Sequence, residues 1–150
     1  VRTLLLRIVF AAYLVALGFL VWSPQPLGGE SSILAVPARW IASWGVPYRL
    51  AYDVLEVGGN IALFVPFGVF ALTAYRWMRV WSATLAGLVT SGIIEGVQLF
   101  LPTRFSTVSD LIANTSGALL GALLVAGGRR IRDRRDERDA ALSAAASRPS

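Results

Sequence analysis

Apolar residues gather into four long runs, and that pattern predicts four membrane-spanning helices. The runs are Leu4–Trp22, Val57–Tyr75, Trp81–Leu101 and Val108–Ala126. Each is close to the roughly 20 residues that cross a bilayer as helix. In lipid a helix satisfies its own backbone donors and acceptors, so helix is the expected form. The expected fold is therefore all-α, a polytopic membrane bundle of four spans. Arg2 and Arg7 before the first run also suit a signal peptide. The run is long for one, however, and Trp22-Ser23-Pro24 is a poor small-residue cleavage site, so a retained helix is expected.

Between the first two runs lies a long connection, residues 23–56. It opens on the turn-rich "SPQPLGG" and continues as "SILAVPARWIASWGVP", too short to span. Ile33, Trp40, Ile41 and Trp44 would share a face on a helix broken near Pro37. Tryptophan favours the headgroup zone, so this segment is expected to lie along the membrane surface. Residues 1–128 make the membrane domain. Residues 129–150 make a tail of mixed but mainly basic charge.

Composition agrees with the pattern. Of 150 residues, 55% are hydrophobic and only 15% charged, and mean hydropathy is +0.62, values of a membrane chain. Cysteine and histidine are absent, which excludes disulfides, thiolate nucleophiles, imidazole bases and the usual zinc sites. No metal or cofactor is called for. Lysine is absent as well, so all 14 basic residues are arginine.

The placement of those arginines changes the reading of the +5 net charge. Arg2 and Arg7 flank the first span, Arg76 and Arg79 fill the connection between the second and third, and six arginines from Arg129 to Arg138 follow the fourth. An even number of spans puts all three groups on one side. Arg39, Arg49 and Arg104 fall on the other. The richer side is expected to be cytoplasmic, with both termini inside. The positive charge is then a topology signal and no nucleic-acid partner is implied.

Five polar side chains interrupt the apolar runs: Asn60, Glu95, Gln98, Asp110 and Asn114. At about 1.5 Å per residue, Asn60 would lie roughly 5 Å below the outer end of its span, and Glu95 and Asn114 roughly 9 Å below theirs. Thr84, Gly87, Ser91, Glu95 and Gln98 share one helix face. Asp110, Asn114, Gly117 and Gly121 share another. Gly117 with Gly121, and Gly92 with Gly96, form small-xxx-small pairs that let helices approach closely. The short connection after the third span makes the third and fourth antiparallel neighbours. Arg104, in that connection, is within reach of Glu95 or Asp110. Pro66 interrupts the second span, where it cannot donate and clashes with the carbonyl of Ala62.

Each polar residue also has a plain structural role open to it. "TVSD" ending at Asp110 is a capping-box-like pattern. Asn60, Gln98 and Asn114 suit interhelical hydrogen bonds. Glu95 is costlier: a carboxylate at that depth costs about 1–3 kcal/mol unless paired.

Taken in order, "NIALFVPFG" and "IIEGVQLFLPTRFSTVSDLIANTSGALLG" resemble the VanZ-like family of bacterial membrane proteins. The matching positions are Asn60, Phe64, Pro66, Gly68, Glu95, Gln98, Arg104, Asp110, Asn114 and Gly117, within a stretch from Gly58 to Gly121. The resemblance implies residence in the bacterial inner membrane and a link to low-level resistance to the glycopeptide teicoplanin, a lipidated drug that binds cell-wall precursor peptides outside the membrane. The expected partners are membrane lipid and a lipid-linked cell-wall precursor or lipoglycopeptide, held in an outer-leaflet polar pocket. Two other functions remain open. One is a membrane enzyme using Glu95 and Asp110 as a carboxylate pair on a lipid-linked substrate, for which no nucleophile motif is present. The other is a structural or partner subunit in which the polar groups only hold helices together.

Overall fold

A computed structural model describes residues 1–22, 33–100 and 108–146. Five helices follow in order: α1 (Arg2–Trp22), α2 (Ala35–Ala42), α3 (Tyr48–Ala74), α4 (Val80–Gln98) and α5 (Val108–Ala146). Among the described residues there is no strand. Helices α1, α3, α4 and α5 are long and apolar enough to cross a membrane. Their apolar residues point outward as well as inward, with Leu4, Val15, Phe19, Leu85, Ile93 and Leu124 among those exposed. A helix apolar on all sides is what a lipid surround selects.

The second span starts nine residues earlier than its apolar run. Gly45 takes a positive φ of 93°, which turns the chain out of α2. Pro47 then stands at the N-cap of α3. From there "YRLAYDVLE" is helical, although its arginine and acids place it outside the apolar run. Asn60 consequently lies twelve residues into its helix, roughly 18 Å from the start, although it is still only three residues into the apolar run. Pro37 does not break α2. It falls in the first turn, where an N–H has no intrahelical partner to lose. Ala35 and Ala38 are buried, α2 packs on α3, and the opposite face exposes Ile33, Val36, Trp40 and Trp44. The Trp40 and Trp44 rings lie 4.1 Å apart, centroid to centroid.

The core of the bundle is the crossing of α3 with α5, the most extensive contact between helices. Glycine makes it. A Cβ on Gly68 would meet the carbonyl of Ala118, one on Gly117 the carbonyl of Ile61, and one on Gly121 the carbonyl of Val65. Backbone touches backbone at all three points. The contacts advance in the same direction along both chains, so α3 and α5 run parallel. Helix α4 packs antiparallel on α5, and Gly87 faces the methyl of Ala118. Gly92 and Gly96, expected to form a second close face, have open space where a side chain would go. Among the described residues, that pair therefore does not bring α4 against a neighbour. Helix α1 joins through aromatic contacts: Phe10 packs edge-on to Phe67 at 5.4 Å, and Tyr13 lies 5.7 Å from Phe70.

One end of the bundle collects arginine. At the C-terminus of α3 the last carbonyls lack intrahelical donors. Arg7 Nε donates to the carbonyl of Ala74 at 3.5 Å, and Arg129 Nη2 donates to that of Leu72 at 2.6 Å. Both cations also oppose the negative end of the helix dipole. Arg7 in addition stands over the Tyr75 ring, 5.2 Å from its centroid. Helix α5 passes through this basic end without a break and continues to Ala146.

Candidate functional site

The intramembrane polar residues meet at the end of the bundle opposite the arginines. Asp110 and Arg129 stand nineteen residues apart on α5, roughly 28 Å at about 1.5 Å per residue. That nearly matches the hydrocarbon thickness of about 30 Å. One side chain therefore marks each edge of the apolar layer.

The deepest pair joins α4 to α5. Asn114 Nδ2 donates to Ser91 Oγ at 2.9 Å, and the two side chains are 5% and 0% exposed. Buried this deeply, the amide donor and the hydroxyl acceptor pair with one another. Further out, Asn60 Nδ2 donates to Asp110 Oδ1 at 2.6 Å and links α3 to the first turn of α5. Both are half-buried. The carboxylate of Asp110 also lies at a helix N-terminus, where negative charge is favoured. Gln98, at the last turn of α4, donates through Nε2 to the carbonyl of Val21 at 3.2 Å. That carbonyl belongs to the last turn of α1, which has no intrahelical donor for it. The three hydrogen bonds tie α1, α3, α4 and α5 together at one end.

Glu95 is half-buried on α4. It stands one turn outward from Ser91, as Asp110 stands one turn outward from Asn114. Because α4 and α5 are antiparallel, the same step from one buried pair brings both carboxylates to one level. Glu95 and Asp110 each make further interactions. Arg104 lies outside the described residues, as does Thr107, so the expected contacts of Arg104 and the capping box of "TVSD" are not part of the described geometry.

The residues expected as a structural motif take defined places. Phe64 is buried to 1% beneath Gly117. Pro66 lies inside α3 and deprives the carbonyl of Ala62 of its donor. One residue on, the carbonyl of Leu63 accepts the hydroxyl of Tyr13 from α1 at 2.5 Å. Gly68, Gly117 and Gly121 form the α3–α5 crossing described above. Sequence reasoning placed Ser91 on the polar face of α4 without naming it as a partner. It gave Tyr13 no role. A tyrosine in an apolar run one helix away from a proline is the signal available for it.

Chemically, this end of the bundle offers two carboxylates, three carboxamides and a hydroxyl. Among the described residues, no group of three or more acidic side chains converges in a way that would hold a metal ion. A groove of about 630 Å³ lies elsewhere, between α4 and α5 toward the basic end, lined by Arg79, Trp81, Leu88 and Thr115 among others.

Against known proteins, a family model described as VanZ/LLP1 matches residues 10–129. The match takes in most of α1, all of α2 to α4 and the apolar part of α5. No curated protein and no solved structure matches.

Proposed function

This chain belongs to the VanZ/LLP1 family, and on that premise we propose that it binds the polar head of a membrane amphiphile at the end of the bundle opposite the arginines. The basic end is cytoplasmic in this reading, by the positive-inside rule. The polar end then lies in the outer leaflet of a bacterial inner membrane. The observation that carries the proposal is the level placement of Glu95 and Asp110, half-buried, one turn outward from the buried Ser91–Asn114 pair. Helix association alone is served by amides and hydroxyls; a carboxylate adds to these a charge and acceptor lone pairs beyond those its neighbours in the bundle use, as Asp110 does beside Asn60. The oxygens of Glu95 and Asp110 accept hydrogen bonds from the amide, hydroxyl and ammonium groups of a lipid-linked cell-wall precursor or a lipoglycopeptide such as teicoplanin. Arg104, in the connection between α4 and α5, supplies the cation for an anionic group on the same head. Asn60 holds Asp110 in place, and Gln98 and Asn114 fix the helices around it.

A second reading, that these residues only hold the bundle together, is favoured by one observation: Asn60, Gln98 and Asn114 all spend donors on neighbouring helices. Two variants separate the readings. Glu95→Gln keeps shape and hydrogen-bonding capacity but removes the charge, and Arg104→Ala removes the cation. With normal expression, both are expected to lose protection against teicoplanin and retention of labelled lipid-linked precursor. Unchanged susceptibility and retention in both would overturn the binding proposal. If, at the same time, Gly117→Leu abolished assembly, the structural reading would stand.

A further inference from the structure

The groove between α4 and α5 has no part in the polar cluster. Its volume, about 630 Å³, lies within the roughly 300–1,000 Å³ of small-molecule pockets. Its walls are Val80, Trp81, Leu85 and Leu88 of α4 with Thr115 and Leu119 of α5. Both threonines in the lining turn their hydroxyls inward on their own helices: Thr84 Oγ1 donates to the carbonyl of Val80 at 2.9 Å, and Thr115 Oγ1 to that of Leu111 at 2.7 Å. Their polar atoms are thus spent, and the groove presents an apolar wall along the direction of the membrane normal. Arg79 closes its basic end. Among the described residues the Arg79 guanidinium makes no hydrogen bond or ion pair, although its backbone N–H is held by Ser82 Oγ at 3.0 Å. Trp81 beside it is 66% exposed, as suits an indole at the headgroup level.

An apolar trough that ends on an uncommitted cation at the membrane surface matches one class of molecule in charge and shape. We propose that this groove holds an anionic phospholipid of the leaflet at the basic end, with one acyl chain along Leu85, Leu88 and Leu119 and its phosphate on Arg79. The guanidinium is the element of selectivity: a zwitterionic lipid fills the trough equally well and carries the same phosphate, but its own ammonium already neutralises that phosphate and repels the arginine, whereas the phosphate of an anionic lipid lacks this competing cation. This site is independent of the proposed outer-leaflet function.

The test uses the full chain reconstituted in vesicles of phosphatidylcholine with a minority of phosphatidylglycerol, then extracted for native mass spectrometry. The expected result is retention of phosphatidylglycerol over phosphatidylcholine. Arg79→Gln should lower that preference about fivefold, the effect of one basic residue at an anionic surface. Arg76→Gln, at the same end but outside the groove, should leave it unchanged. Thr115→Trp, which fills the trough and spares the cation, should also lower retention. Equal preference in Arg79→Gln and the parent chain would overturn the proposal. So would equal losses in Arg79→Gln and Arg76→Gln, which would mean diffuse attraction to a charged surface. Displacement of the lipid by millimolar inorganic phosphate would overturn it too, since the acyl chain would then contribute nothing.

Discussion

Asn114 on α5 donates to Ser91 on α4 across 2.9 Å, and the two are the most deeply buried polar side chains joined to each other among the described residues. The pair fixes the rotation of α4 against α5. With that rotation fixed, Glu95 and Asp110 come to one level and Gly87 faces Ala118.

That role predicts a measurable coupling. In a double-mutant cycle with Asn114→Ala and Ser91→Ala, the interaction should be worth about 0.5–1.7 kcal/mol, the range found for hydrogen bonds between membrane helices. Unfolding of the purified chain in mixed detergent measures it. Strict additivity of the two losses would show that the bond contributes nothing.

The glycines separate into two classes, and their alanine variants should as well. Gly121→Ala drives a methyl into the carbonyl of Val65, and backbone cannot step aside as a side chain can. A loss of about 1–3 kcal/mol or more is expected, as for other overpacked cores. Gly92→Ala adds its methyl in open space and should change stability by less than about 0.5 kcal/mol. Thermal midpoints in one detergent compare them directly. Equal effects would contradict the α3–α5 crossing.

Much of this arrangement could be read from the order of residues. The four spans follow from four apolar runs, because lipid imposes one requirement on every backbone segment. The Gly117–Gly121 face follows from its spacing. Its partner did not: the short connection made the third and fourth spans neighbours, as they are, but left the glycines' partner unnamed, and they pack on α3, two elements earlier. A small residue shows that something comes close without saying what. The Gly92–Gly96 pair has the same spacing and packs on nothing among the described residues. The early start of α3 was hidden for a different reason. Arg49, Asp53 and Glu56 end an apolar run without ending a helix, so hydropathy marked the hydrocarbon edge and missed the helix terminus. For Asn114 the depth and face were legible, whereas its bond to Ser91 depended on how far α4 rotates.

At the basic end, Arg129 should matter more than its neighbour. It donates to the carbonyl of Leu72 at 2.6 Å, a charged donor on a helix end that lacks partners. Arg129→Ala should cost about 1–2 kcal/mol. Arg130→Ala, on an exposed position, should stay within about 0.5 kcal/mol. Arg129→Lys should recover only part of the loss, since an ammonium carries its charge on a different geometry. If Arg129→Ala and Arg130→Ala were equally harmless, the capping contact would carry no weight.

Orientation is the premise on which the outer-leaflet reading rests, and the absence of native cysteine makes it directly measurable. By the positive-inside rule, the arginine distribution predicts the α5 extension in the cytoplasm and the α2 segment outside. Ser43 follows α2 at an exposed position, and Ala140 is exposed on the extension. In intact cells, a membrane-impermeant maleimide should label Ser43→Cys and spare Ala140→Cys until the membrane is permeabilised. Both sites sit in water-accessible chain, so labelling efficiency after permeabilisation should be similar and serves as the internal standard. The reverse pattern would put the Glu95–Asp110 level in the cytoplasmic leaflet. A cell-wall precursor head or an external glycopeptide could not reach it there, and the binding proposal would fail on geometry alone while the fold stood unchanged.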